Sequence, residues 1–146
     1  MKRFVGFLSV VFLLGCSGGN STGSLVFAAK DLTLLGNPSI IGESTGTVDN
    51  PSGFISVGGA VESQSGLALT DLKVLVRVLG ANGAVLGSRE EACNPRDIGP
   101  GGSCTFITGV ALDSVDFRAS RAIEITPESA QGVGTLRSIA VEWGDQ

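Results

Sequence analysis

Three cysteines and a scatter of carboxylates are the side chains in this chain that could do chemistry. Histidine is absent. That removes the commonest general base and the commonest zinc ligand together. Serines are plentiful, with no histidine to activate one. Glu90 and Glu91 are adjacent; strand neighbours point to opposite faces, so they form a poor acid–base pair and read as a solvated strand end. Asp113 and Asp116 flank Ser114 and offer oxygens of the kind calcium takes. Without a ligand loop they read instead as exposed turn acids. Gly99-Pro100-Gly101-Gly102 lacks the Lys-Ser/Thr ending of a phosphate loop and reads as a turn between strands. Arg96, Arg118 and Arg121 could make a small cationic spot, but read as solvated charges balancing Asp97, Asp113 and Asp116.

Cys16 has the most telling surroundings. Lys2 and Arg3 precede an apolar run from Phe4 to Leu14, and Leu13-Leu14-Gly15-Cys16 ends it. A membrane-spanning helix needs about 20 apolar residues. This run is far shorter, and polar Ser17-Gly18-Gly19-Asn20 follows at once. The pattern is that of a secretory signal, and Leu13 to Cys16 resembles the lipobox of a bacterial lipoprotein. The resemblance implies cleavage before Cys16 and a diacylglyceryl thioether on its sulfur, with residues 1–15 removed. One acyl chain binds a bilayer only marginally, at about 0.8 kcal/mol per buried methylene, so two or three give stable anchoring. The membrane partner is then met through covalent lipid, and the protein belongs to the cell envelope. Ser17 follows Cys16 where Asp retains enteric-type lipoproteins at the inner membrane. In a two-membrane organism Ser17 favours the outer membrane, facing the periplasm.

Residues 16–24 then form the lipidated cysteine and a small, polar, flexible tether, and 25–146 one domain with one core. The formal charge is −4, and losing Lys2 and Arg3 takes it to about −6. An acidic chain with scattered arginines has no footprint for nucleic acid. With Cys16 assigned to lipid, Cys93 and Cys104 are left as a pair around the Pro- and Gly-rich segment NPRDIGPGGS. In an oxidising compartment they would join as a disulfide contributing about 3 kcal/mol. A redox-active pair and free thiols are the alternatives. Two cysteines without histidine cannot fill a zinc shell.

Gly is abundant, at 22 residues, and Val, Ile, Leu and Thr recur in short runs. Short strands with Gly-rich turns predict an all-β sandwich or barrel. Strands are expected at Leu25–Leu35, Phe54–Glu62, Asp71–Leu79, Ala84–Glu91, Cys104–Leu112, Arg121–Thr126 and Thr135–Trp143. Asn37-Pro38 should break the first, leaving residues 36–53 as a loop or short edge strand touched by Ile40-Ile41. Gly58-Gly59 suggests a bulge or a close backbone approach. Asp71–Leu79 is the clearest, with Leu72, Val74, Val76 and Val78 on one face. Asn82-Gly83 predicts a tight hairpin to the next strand. Pro127 should end the sixth strand. Asp113–Ala119 has room for one helical turn. Ile139, Val141 and Trp143 share a face, and Trp143 and Phe106 read as core anchors.

The segment from Gly59 to Phe106 runs G-A-V-E-S, L-T-D-L-K-V-L-V-R-V-L, A-N-G-A-V-L and I-G-P-G-G-S-C-T-F. It resembles the FxLYD-type domain of exported bacterial and archaeal proteins. That likeness implies an immunoglobulin-like β-sandwich of about seven antiparallel strands and an exported setting. Val76-Arg77-Val78-Leu79-Gly80 stands where that family has Phe-x-Leu-Tyr-Asp, and Glu62 where Asn is usual. The functional expectation is a lipid-anchored, non-catalytic interaction or structural module that meets an envelope protein and needs no cofactor. The alternative is an accessory lipoprotein that binds carbohydrate or metal.

Overall fold

The computed structural model describes residues 26–47 and 50–143, with side chains at 26–44 and 52–143. The expected signal segment (1–15), Cys16 and the expected tether (to residue 24) lie outside the described residues. Eight strands are described: β1 (Leu32–Thr47), β2 (Asn50–Ser63), β3 (Lys73–Gly80), β4 (Val85–Ala92), β5 (Ser103–Asp113), β6 (Ser120–Ser129), β7 (Gly132–Val133) and β8 (Arg137–Ala140). One short helix, α1 (Ser114–Ala119), joins β5 to β6.

The strands form two antiparallel sheets. One is β1-β2-β5; the other runs β4-β3-β6, with β7 and β8 both on the far side of β6. The molecule is an all-β sandwich of immunoglobulin-like strand order. The last strand comes in two pieces because one extra residue intervenes: Glu128 pairs with Val133, whereas Ile125 pairs with Arg137.

Period-two patterning builds the core. Val74, Val76 and Val78 of β3, Ile55, Val57 and Val61 of β2, and Ile123 and Ile125 of β6 are fully buried. Each such side chain contributes roughly 1.5–3 kcal/mol by leaving water. Phe106, Val110 and Leu112 of β5 join those of β2 and face the β3 and β6 side chains from the opposite sheet. Phe106 is the core anchor expected of it. Trp143 is half-buried and packs on the core edge.

Four local expectations need correction. The first strand starts at Leu32 rather than Leu25, because Asp31 closes a 3-10 turn over Ala29–Asp31. Its carboxylate accepts the Ala28 N–H at 3.1 Å, and its own N–H donates to the Ala28 carbonyl at 2.8 Å. Such local bonds compete with extension. Residues 36–47 and 50–53 are strand rather than loop, and β1 is an edge strand but a long one, paired with β2 from Leu32↔Ser63 to Thr47↔Asn50. Asn37-Pro38 sits in a bulge instead, where pairing jumps from Leu35↔Ala60 to Ser39↔Gly58. Gly36 (φ 68°) turns the chain there, and an edge strand tolerates the missing proline donor.

Pro127 does not end β6, which continues to Ser129. The Pro127 carbonyl accepts from the Gly134 N–H at 2.7 Å. Its absent N–H would face the same side, where the last strand is already irregular. Finally, the Asn82-Gly83 hairpin forms, but only Gly83 has positive φ (76°). The Gly80 carbonyl accepts from the Gly83 N–H at 3.0 Å and the Gly80 N–H donates to Ala84 at 2.9 Å. This is a turn with one left-handed glycine and a bulge, rather than the two-residue type.

Candidate interaction face

Most of the side chains singled out by type are engaged in holding the fold. Glu90 and Glu91 do point apart. Glu90 takes an ion pair from Lys73 at 3.1 Å, and Glu91 lies 3.9 Å from Arg89. Asp113 caps α1, its carboxylate accepting the Asp116 N–H at 2.8 Å. Arg96 pairs with Asp71 rather than with Asp97, and Asp97 instead accepts the Asp71 N–H at 2.9 Å. Arg121 donates to the carbonyls of Arg118 and Ser120 at 2.7 and 2.8 Å. The glycine loop is a turn as read, with Gly102 donating to Gly99 at 3.0 Å. Among the described residues no group of three or more His, Cys, Asp and Glu side chains gathers to hold a metal ion. No described helix is long and apolar enough to cross a membrane.

One spacing escaped the sequence reading. Gly42-Glu43-Ser44-Thr45-Gly46 fits the Gly-x-Ser-x-Gly pattern of a nucleophile elbow. That elbow requires a strand-to-helix turn. Ser44 instead sits within β1, paired with Gly53 of β2.

Cys93 and Cys104 are buried thiols. Each acts on the other's ionisation: Cys104 pulls the Cys93 thiol down and Cys93 pushes the Cys104 thiol up, burial adding to the rise at Cys104. Cys93 follows the end of β4 and Cys104 is the second residue of β5, so the pair sits where the two sheets approach. A shallow groove runs along this seam, lined by Glu91, Ala92, Asn94, Thr105, Phe106 and Ile107.

Trp143 is an anchor with a polar tether. Its ring stacks on Phe117, centroids 5.3 Å apart and planes 17° off parallel. Its indole N–H donates to the Ser120 hydroxyl at 2.7 Å, which donates in turn to the Phe117 carbonyl at 2.7 Å. The ring lies against Gly42, where any Cβ would collide with it.

The sheets differ in charge. Of all residues in β1, β2 and β5, only Glu43, Glu62 and Asp113 are ionisable acids or bases outside the cysteine, and none is basic. The outward positions of this sheet include Leu35, Ile41, Phe54, Ser56, Gly58, Ala60, Ile107, Gly109 and Ala111. Ile107 is 73% exposed, Ile41 55%, Leu35 48% and Phe54 39%. The tip of the Phe54 ring lies over Gly109 and leaves no room for a Cβ there. The acids stand at the ends of the face. The result is an apolar, small-residue surface with an acidic border.

The opposite sheet carries the strand-borne lysine and arginines: Lys73, Arg77, Arg89, Arg121 and Arg137. Lys73 lies between Glu90 and Glu128 (3.1 and 3.9 Å), and Arg77 meets Glu124 at 2.8 Å. The hydrogen bond to Glu90, then the charge of Glu90, holds the Lys73 ammonium above the usual lysine range, with Glu128 and Asp71 adding less. An ion-pair ladder across neighbouring strands is what a solvated sheet face looks like. The bare face of β1-β2-β5 is the unusual one.

No protein-family model matches the chain, and no curated protein matches it. Among solved structures it is similar to part of a β-glucuronidase from glycoside hydrolase family 2, with TM-score 0.52 and 8% identity, over 76% of this chain and 12% of that one. It is also similar to part of a calcium-binding mutant of Bacteroides uniformis β-glucuronidase 2, with TM-score 0.52 and 10% identity, over 75% of this chain and 14% of that one. The chain thus spans only a small fraction of the length of either enzyme. At such identity the likeness concerns the fold, and it agrees with the strand order: the chain is an all-β sandwich.

Proposed function

We propose that this protein is a lipid-anchored cell-envelope protein whose sandwich is a non-catalytic interaction module. Cys16 carries the lipid, and the outer face of β1-β2-β5 meets the partner. The observation that carries the reading is that face, apolar, with carboxylates at its ends and no basic residue on its own three strands. Charge complementarity selects the occupant. A second copy would set acidic border against acidic border, and anionic lipid headgroups would repel it. The fitting partner is an envelope protein presenting an apolar patch ringed by lysine or arginine. The lack of histidine, and the engagement of Glu90, Glu124, Asp71 and Asp113 in ion pairs or a helix cap, support a non-catalytic role.

Two measurements test this. Intact mass of the protein from native envelopes should show a chain beginning at Cys16 and bearing acyl groups, both lost in Cys16→Ala; an unacylated chain or another start refutes the anchor. A photo-crosslinking residue at position 107 should trap one envelope protein. The same residue at position 88, on the ion-paired face, should not. Equal yields from both positions refute the docking face.

A further inference from the structure

We infer that Cys93 and Cys104 are a disulfide-forming pair whose bond staples one sheet of the sandwich to the other. The inference is independent of which face meets a partner. Asn94 and Thr105 exchange two backbone hydrogen bonds, at 2.8 and 2.9 Å, as an isolated antiparallel bridge. That bridge fixes the chain one residue beyond each cysteine. It puts both thiols on the interior side of the seam, each only 2% exposed. Among the described residues there is no other cysteine, so the pairing has no competitor.

The location gives the bond its consequence. β4 is an edge of the five-stranded sheet and β5 an edge of the three-stranded one. A bond from residue 93 to residue 104 therefore does more than close the intervening loop. It crosses from sheet to sheet. That loop is also held from behind, where Leu69 and Ile98 exchange backbone bonds of 2.9 Å. The fold has thus already constrained the loop that the bond would close.

The chemistry is thiol–disulfide exchange with an external disulfide, either small-molecule or on a protein. The Cys93 thiolate attacks one sulfur of that disulfide, and the other sulfur leaves as a thiolate. Cys104 then loses its proton and attacks Cys93 in the mixed disulfide, expelling the second external thiolate. Two electrons pass to the external disulfide and two protons are released. Burial means that exchange precedes closure of the seam, and that the finished bond is shielded from reductant.

The test uses the mature chain with Cys16→Ser, so that two thiols remain. Protein refolded with oxidised glutathione is denatured, alkylated with iodoacetamide without reductant, and weighed intact. The expected result is no alkylation and a peptide pair joining residues 93 and 104. Dithiothreitol should release the thiols only once urea has opened the fold. Reduction, or the double variant Cys93→Ser/Cys104→Ser, should lower the folding equilibrium constant about a hundredfold. Quantitative alkylation of both cysteines after oxidative refolding overturns the inference. So does reduction at the same rate in folded and unfolded protein.

Discussion

Replacing Ser120 by alanine should loosen the junction between α1, the first hairpin and the end of the chain. Ser120 is fully buried. Its hydroxyl accepts from the Trp143 indole and donates to the Phe117 carbonyl, each at 2.7 Å. That carbonyl keeps a second donor, the Ser120 backbone N–H. The loss therefore falls mainly on the indole N–H, which is left without its acceptor in a half-buried site. Each bond has a net value of about 0.5–1.5 kcal/mol, and partial access to water lowers the indole's share. The sum is about 1–2 kcal/mol. With a urea slope of about 1–3 kcal/mol per molar, the midpoint should fall by roughly 0.5–1 M. Trp143 is the only tryptophan and tyrosine is absent, so fluorescence reads this junction directly while circular dichroism reads the sheets. Adding Trp143→Phe completes a double-mutant cycle, and a coupling of about 1 kcal/mol is expected. Unchanged midpoints by both probes, or strict additivity in the cycle, refute the argument.

Other perturbations follow from the same geometry. Gly134→Ala should cost more than about 2 kcal/mol, because its Cβ would collide with the Leu32 carbonyl and with Pro127; an unshifted thermal midpoint contradicts this. Asp113→Ala removes the cap on α1 and should cost about 1 kcal/mol, with Asp113→Asn recovering most of it in urea titrations. Lys73 has a raised pKa in the folded state, so its stabilising contribution is present below the unfolded lysine pKa of about 10.4 and is lost as pH climbs through the folded value. The difference in urea midpoint between wild type and Lys73→Met should therefore be constant near neutrality and shrink in strong alkali. A difference that strong alkali leaves undiminished refutes the assignment.

The sandwich and the faces of its middle strands were legible because period two writes burial directly into sequence. Leu72 to Val78 alternates without interruption, and the structure buries the same side chains. What misled was punctuation. Pro38 and Pro127 look like stops when read locally. Both are absorbed where the pairing is already irregular, a fact set by neighbouring strands far away in sequence. The candidate face was invisible for a related reason. Ile41, Phe54 and Ile107 sit on three separate strands, and nothing in their spacing says they share a surface. The signal that could have found it was the near-absence of charge across 32–63 and 103–112, set against the Lys, Arg and Glu of Lys73–Gly80 and Val85–Ala92. The thiol pair was legible as a pair, but not as a link between sheets, since that depends on which sheet each edge strand joins.

The start of β1 is fastened by residues about a hundred positions later. The Thr135 hydroxyl bonds to Ala29, its N–H to Leu32, and the Arg137 guanidinium to Gly36 and Asn37. Contacts of such long sequence separation form late, since a large loop must close before they yield anything. During synthesis β1 can pair with β2 at once, but it lacks these later clasps until residue 137 has emerged. A nascent chain of this design stays pliable while it is being made. Arrival of the final segment then completes the fastening of the first hairpin.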